Sequence, residues 1–336
     1  MSILITGGAG FIGSHTCVKL LEADRDVVVI DNLTNSHMEA INRIKVITKK
    51  EFPFYKEDVR NEDALKQIFE YHKITDVIHF AGYKAVGESV LDPIKYYDNN
   101  INSTITLLKV MNLNNVRNFV FSSSATVYGN PHTTPIREDF PLSATNPYGM
   151  TKLIIERILA DIYHSDPTWN IALLRYFNPV GAHSSGLIGE DPNGIPCNLM
   201  PFITQVAIGK YRKLNVYGND YPTKDGTGIR DYIHVDDLAE GHLKALDKLS
   251  SNCGKVIYNL GTGIGYSVLD VINSFTKVTG ISIPFEFVDR RDGDVAVCYA
   301  DPGKANLELS WKAQKGIDEM CRDAWNWQTK NPNGYR

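Results

Sequence analysis

Ile3-Leu4-Ile5-Thr6-Gly7-Gly8-Ala9-Gly10-Phe11-Ile12-Gly13 is the stretch that decides the fold. A short apolar run meets a glycine cluster, Ser14 to Ala23 then carries apolar residues at helical spacing, and Val27-Val28-Val29-Ile30 is a second apolar run closed by Asp31. Strand, glycine turn, helix and strand within about 30 residues make a βαβ unit. The glycines match G-x-G-x-x-G counted from Gly8, and G-x-x-G-x-x-G counted from Gly7, Gly10 and Gly13. Between a strand and a helix, such a turn leaves bare backbone N–H groups and the positive end of the helix dipole facing outward, where a pyrophosphate can sit. A plain tight turn would use the same glycines. Asp31 tips the balance, because an acid at the end of the second strand, about 20 positions after the glycines, is placed to accept from both ribose hydroxyls of an adenosine. Its charge would repel a 2′-phosphate, which predicts NAD rather than NADP.

The alternation continues outward. Thr75 to Phe80, Asn118 to Phe121 and Ile171 to Leu174 read as strands, with helical patterns around Ile101 to Met111 and from Tyr148 to Tyr163. Near-continuous apolar strands are what burial on both faces of a parallel sheet requires. The fold class is therefore α/β, a doubly wound parallel Rossmann-type sheet. After Phe177 turn residues crowd together (Asn178-Pro179, Gly181, Gly186, Pro192-Asn193-Gly194, Pro196) and the alternation is lost until Val256-Ile257-Tyr258-Asn259-Leu260. This predicts an NAD-binding domain over 1–177 with a return strand near 256–261, and a smaller, looser α/β substrate-binding lobe over most of 178–336.

Composition narrows the function. The 336 residues carry 35 Lys+Arg against 39 Asp+Glu, a formal charge of −4, without any block of like charge. A nucleic-acid binder normally shows a basic face. No apolar stretch approaches the roughly 18 residues of a membrane span. Met1-Ser2-Ile3 runs straight into the glycine turn without a leader pattern, so a cytoplasmic location is expected. Cys17, Cys197, Cys253, Cys298 and Cys321 are odd in number and scattered, which predicts neither disulfides nor a metal site.

Tyr148-Gly149-Met150-Thr151-Lys152 puts a tyrosine and a lysine on one helical face. A neighbouring ammonium favours the tyrosinate, lowering the phenol from about 10 toward the range of a general base. Such a pair also occurs by chance on helix surfaces. Ser122-Ser123-Ser124 follows a buried strand at its carboxyl end, where α/β sites lie, and a serine there can orient or relay a proton.

Gly7 to Gly13, Asp31, Asp58-Val59, Ala81-Gly82, Ser124 and Tyr148 with Lys152 resemble the extended short-chain dehydrogenase/reductase family, and the match to its nucleotide-sugar 4-epimerases continues through Leu174 to Ala182, Gly189 to Pro192, Asn198 to Pro201 and Gly226 to Val235. The resemblance implies that Gly7, Gly10, Phe11, Ile12 and Gly13 lie along the dinucleotide, that Asp31, Asn32, Leu33, Thr34, Asn35 and Ser36 surround the adenosine ribose, and that Asp58 and Val59 frame the adenine. Phe80, Ala81, Gly82, Tyr83, Lys84, Asn99 and Phe177 would follow the nicotinamide half, with Ser124, Tyr148 and Lys152 at the reacting end. Asn178, Asn198, Leu199, Asn215, Val216, Tyr217, Arg230 and Arg291 to Asp294 would hold a UDP-sugar, the two arginines gripping its diphosphate. Arg230 and Arg291 could equally be interdomain ion pairs, and Lys84 a solvated surface lysine.

In the chemistry so implied, Tyr148 takes the proton of the sugar 4-hydroxyl as the C4 hydride leaves, Ser124 holds the 4-oxygen, Lys152 bonds the nicotinamide ribose, and the planar ketone returns from its other face. The 4,6-dehydratases of the family place Asp-Glu after the active-site Ser or Thr, and its decarboxylases a Glu; Ser124 is followed by Ala125-Thr126. Silent relatives lose the Tyr or the Lys, and both are present. Cys298 stands where members restricted to simple hexoses commonly have a tyrosine, so room for an N-acetyl group is expected, unless Tyr299 is the real wall. Homodimers are the rule in the family.

Overall fold

The structure is a computed structural model that describes every residue except 193 and 292. In chain order its elements are β1 (Ser2–Thr6), α1 (Phe11–Glu22), β2 (Asp26–Ile30), α2 (Met38–Thr48), β3 (Phe54–Tyr55), α3 (Glu62–Tyr71), β4 (Ile74–His79), α4 (Val86–Leu91), α5 (Pro93–Leu113), β5 (Asn118–Ser124), α6 (Pro147–Ser165) and β6 (Asn170–Tyr176). There follow β7 (Asn178–Val180), α7 (Leu199–Ala207), β8 (Leu214–Tyr217), β9 (Ile229–His234), α8 (Val235–Leu249), β10 (Lys255–Leu260), β11 (Gly265–Ser267), α9 (Val268–Thr279), β12 (Phe285–Val288), β13 (Val297–Cys298), α10 (Gly303–Glu308) and α11 (Ile317–Lys330).

A seven-stranded sheet in the order β10-β6-β5-β4-β1-β2-β3 forms the first layer, all its pairings parallel. Pleating sends alternate strand residues to two cores. Ile3, Ile5, Val27 and Val29 pack with Cys17, Val18 and Leu20 of α1 and Leu238, Leu243 and Leu246 of α8. Leu4, Val28 and Ile30 face the other way, toward Leu65 and Ile68 of α3, Leu107 of α5 and Ile155 and Leu159 of α6. Apolar runs without polar gaps are the sequence image of this double burial.

The chain builds β1, β2 and β3 outward, then crosses back to lay β4 on the other side of β1. Ligands of open α/β sheets bind at this reversal, beyond the carboxyl strand ends. Register brings those ends together: Thr6 pairs with Ile30 and His79, and Ser124 pairs with Tyr176. Gly7, Asp31, Phe80 and Phe177 are therefore the first residues past four strand ends, on one edge of the sheet.

The second lobe is built on β9, paired with β11, β13 and β7, with β8 and β12 as a separate parallel ribbon. Met200 and Ile203 of α7, Val271, Ile272 and Phe275 of α9 and Met320 and Ala324 of α11 close its core. One helix within 178–336, the stretch that reads mainly as the second lobe, belongs with the first layer. Helix α8 packs on α1 against the main sheet. Its apolar rhythm is broken by the buried polar residues Asp236, Asp237 and His242, which is why it does not read as a core helix.

Candidate active site

The glycine turn is closed to side chains. Gly7 has φ of +71°, and a Cβ on it would lie 2.8 Å from the Ala81 nitrogen; one on Gly13 would lie 2.3 Å from the Gly7 oxygen. Helix α1 starts beyond Gly10 with no side-chain cap and no acid in its first turn. Its leading N–H groups border a cleft whose walls include Gly7, Gly10, Phe11, Ile12 and Gly13. That cradle fits the pyrophosphate of a dinucleotide.

Asp31 does local work as well. Its carboxylate accepts from the N–H of Ala9 at 3.0 Å, the N–H of Leu33 at 2.9 Å and the Ser36 hydroxyl at 2.7 Å. The first bond ties the glycine turn to β2, and the second holds Leu33 at a φ of +59°. A carboxylate offers about four acceptor positions, so turn residue and ribose acceptor are compatible readings. Asp58, across the cleft mouth, accepts from Asn32 at 3.0 Å and from Arg60, which holds its carboxyl down to about 2. Thr34, Asn35 and Val59 complete this wall.

Opposite lies α6, whose start is written in Asn146-Pro147: the Asn146 side chain accepts from the Gly149 N–H at 2.9 Å, and proline suits the first helical position. Its first turns carry Tyr148 and Lys152 into the cleft beside Ser122 and Ser124 from β5 and Tyr176 from β6. Lys152 is buried, donates to the Ser122 carbonyl oxygen at 2.6 Å and lies 4.9 Å over the Phe121 ring. Burial lowers its ammonium to about 8, partly opposed by Glu156.

The expected lowering of the phenol by this lysine is not what the structure shows. Burial raises Tyr148, and the group opposing that rise is the Ser124 hydroxyl. The Lys152 ammonium sits 5.9 Å from the Tyr148 ring centroid with its short bond directed to Ser122 instead. Ser124 caps the 3-10 turn Ala125–Tyr128 and accepts from the Thr126 N–H at 3.2 Å and the Thr126 hydroxyl at 3.0 Å.

A family model described as GDP-mannose 4,6 dehydratase matches residues 4–324. The UDP-glucose 4-epimerase of Bacillus subtilis is 60% identical over 336 residues, covering 100% of this chain and 99% of that protein, and the one of Dictyostelium discoideum is 60% identical over 334 residues, covering 99% and 97%. The chain belongs to the UDP-glucose 4-epimerase family. Its fold matches the UDP-glucose 4-epimerase from Bifidobacterium longum in complex with NAD+ and UDP with a TM-score of 0.96 and 54% identity, over 99% of this chain and 100% of that one. The UDP-Glc/GlcNAc 4-epimerase from Campylobacter jejuni matches with a TM-score of 0.85 and 38% identity, over 98% and 99%.

Within this 4-epimerase framework the other sequence-predicted residues fall into two groups. Phe80, Ala81, Gly82, Tyr83, Lys84, Asn99, Phe177, Asn178 and Asn198 line the same cleft as the glycine turn. Lys84 is not simply solvated: it pairs with Glu190 at 2.8 Å, and the same carboxylate oxygen accepts from Asn198 at 2.7 Å. The second group lies in the second lobe, apart from the cleft lining. There Arg230 and Arg291 flank Asp294 at 3.5 and 2.9 Å, and Arg291 stacks over Tyr217 at 4.8 Å. These pairs are within the lobe, not between domains. Asn215, Val216 and Tyr217 lie on β8, with the Val216 side chain in the lobe core; Leu199 opens α7 and packs against that core. Cys298 on β13 is in register with Arg230 and packs against the cluster of Val127, Tyr128 and Phe177. Residue 292, within the stretch Arg291 to Asp294, lies outside the described residues.

Sequence reasoning missed Asn100 and Tyr176. Asn100, buried in α5, accepts from the Tyr83 N–H at 2.8 Å and donates to the Tyr83 oxygen and the Thr151 hydroxyl at 3.1 Å each, pinning the loop after β4 to α6. Tyr176 donates to His242 Nε2 at 2.6 Å, since His242 Nδ1 is bonded to the Leu238 oxygen. The partner on α8 lies 66 residues away, beyond the reach of local spacing.

Proposed function

We propose that this protein interconverts UDP-galactose and UDP-glucose by epimerisation at C4, through a transient 4-keto sugar and with a tightly held NAD. The observation that carries the reading is the convergence of Tyr148, Ser124 and Lys152 on one wall of the cleft that the glycine turn opens. Bound NAD supplies the acceptor, and then the donor, of the C4 hydride. Tyr148 Oη removes the proton of the 4-hydroxyl and later returns it, while the Ser124 hydroxyl bonds the 4-oxygen. Lys152, anchored to Ser122, keeps two further N–H donors for the cofactor ribose. Asn178 and Asn198 bind the sugar end, and Arg230 and Arg291, with Tyr217 and Asp294, bind the UDP. Dehydration is the second reading, favoured by the family model's description, but it calls for an acid and a base after Ser124, where Ala125 and Thr126 stand.

Cys298 leaves space beside the sugar C2 position, so UDP-N-acetylhexosamines are turned over as well. The protein works in the cytoplasm as a homodimer; the exposed Val90, Leu91 and Ile94 around the α4–α5 corner offer an apolar patch for a second copy. No helix among the described residues is long and apolar enough to cross a membrane, and no cluster of three or more His, Cys, Asp or Glu there could hold a metal.

The test is proton NMR of the anomeric signals after purified protein, without added cofactor, meets UDP-galactose and, separately, UDP-N-acetylglucosamine. The 4-epimers are expected in both tubes. No conversion of either, even with NAD supplied, overturns the reading.

A further inference from the structure

Ser124 Oγ receives two donors from a single residue. The extended backbone of Ser124 (φ −151°, ψ 149°) folds its side chain over the start of the 3-10 turn, where the Thr126 N–H lies 3.2 Å away and the Thr126 hydroxyl 3.0 Å away. A serine oxygen has one proton and two lone pairs. The backbone N–H can only donate, so it occupies one lone pair. With the Thr126 hydroxyl donating into the other, the Ser124 proton has no partner within the turn and is free to point into the cleft that Tyr148 also lines. Were the Thr126 hydroxyl the acceptor, the Ser124 proton would turn into the turn and Tyr148 would lose this donor.

A second contact places Thr126 against the helix that carries Tyr148. A Cβ on Gly149 would meet the Thr126 oxygen at 3.2 Å and the Thr126 Cβ at 3.3 Å. Thr126 therefore lies between Ser124 and the first turn of α6, and it is not among the residues that line the cleft.

We propose that Thr126 is a positioning residue: its hydroxyl, donated to Ser124 Oγ, fixes Ser124 as a donor into the cleft, toward Tyr148 in the free enzyme and toward the 4-oxygen once the sugar is bound, and so sets how readily Tyr148 takes up and releases its proton. The proposal rests on the roles given above to Ser124 and Tyr148. A donor to a phenolate favours the ionised form, so Thr126 acts on the general base without touching substrate. The residues after Ser124 then do more than omit a dehydratase's acid and base: the second of them orients the serine.

The test uses the enzyme as purified. Thr126→Val removes the hydroxyl and keeps the shape, and Thr126→Ser returns the hydroxyl. Tyrosinate absorbance is titrated for each variant with and without Tyr148→Phe, so that the difference reports Tyr148 alone, and kcat and KM are followed across pH. In Thr126→Val the Tyr148 titration is expected about one pH unit higher. Its kcat falls about tenfold on the acid side of the profile and recovers on the alkaline side, with KM held within about twofold. Thr126→Ser restores both. In a Ser124→Ala background Thr126→Val has no further effect.

An unmoved titration in Thr126→Val, a Thr126→Ser no better than the valine, or an effect that persists without Ser124 each overturns the proposal. If Thr126→Val does not fold, Thr126→Ala carries the same comparison. Because the titration needs no turnover, a shift in a protein that fails to epimerise overturns the proposed function alone. An unmoved titration in an active epimerase overturns this inference alone.

Discussion

Lys152 and Tyr148 share a face of α6, yet the short bond of Lys152 goes to the carbonyl oxygen of Ser122, 2.6 Å away, and it is the Ser124 hydroxyl that opposes the rise burial imposes on the phenol. The lysine thus pins α6 to β5 and fixes Tyr148 relative to Ser124. Tyr148→Phe, which keeps the ring and removes the proposed base, is expected to lower kcat by about 10²- to 10⁴-fold with KM little changed. Lys152→Met should lower kcat and also the NAD content of the purified protein, and Lys152→Arg should not restore either, since a planar guanidinium does not occupy a compact ammonium's slot. Steady-state kinetics and NAD measured after denaturation check both; a Tyr148→Phe enzyme with ordinary kcat would remove Tyr148 from the reaction.

Beneath the same helix, Arg175 and Glu156 form a two-pronged ion pair at 3.0 and 2.6 Å, with side chains only 2% and 4% exposed. Ser123 donates to Glu156, and Arg175 donates to the Tyr128 hydroxyl. Glu156 lies one helical turn after Lys152, so the pair locks α6 onto β6 while leaving Lys152 charged. Arg175→Met strands a buried carboxylate and is expected to cost about 3–5 kcal/mol of stability. Adding Glu156→Gln to it should recover part of that loss. Urea unfolding of the two variants decides this; equal midpoints for wild type and Arg175→Met would show that the pair does not hold the helix.

How far the sequence spoke depended on distance along the chain. Gly7 to Gly13 with Asp31, and Tyr148 four positions before Lys152, are local signals whose physics lies within a few residues, and they place the glycine turn and the helix α6. Helix α8 was illegible because Asp236, Asp237 and His242 are buried polar residues inside an otherwise apolar face. Asn100 reads as an ordinary helix-surface residue until Tyr83 and Thr151 close around it. The Tyr148–Lys152 spacing was plain, but which group faces the phenol oxygen was not, because that depends on the Ser122 carbonyl, thirty positions away from Lys152.

Cys298 sits on β13 in register with Arg230 and in the packing cluster that includes Phe177 of the cleft wall. On the proposed function, a tyrosine there adds a ring beside the sugar C2 group. Cys298→Tyr is expected to abolish turnover of UDP-N-acetylglucosamine while retaining UDP-galactose epimerisation within about threefold, since an added ring excludes only the bulkier C2 group. Paired kcat/KM measurements on the two substrates test it. Turnover of both surviving unchanged would move the pocket wall elsewhere, with Tyr299 the next residue to vary.

Burial lowers His15 to about 4, His79 to about 3 and His242 to about 4, and all three are at most 1% exposed. His79 shows why charging it is unfavourable: Nδ1 accepts from Thr6 at 2.7 Å, and Nε2 donates to Thr104 at 3.0 Å, whose own proton goes to the Asn100 oxygen. A second proton would meet the Thr6 hydroxyl proton inside the core. An unfolded histidine titrates near 6.5, so between about 6.5 and 4 the unfolded chain binds protons that the native chain does not. Stability is therefore full above about 6.5 and falls as pH drops through that window, by as much as about 1.4 kcal/mol per pH unit for each histidine. The lowered carboxylates Asp236 and Asp323 lose their contribution only at lower pH. Calorimetric Tm values at pH 7, 5.5 and 4.5 should fall progressively, and His79→Gln, which keeps a donor and an acceptor, should give a shallower slope than the native chain. A Tm that holds constant down to pH 4.5 would mean that these histidines are already charged in the folded protein.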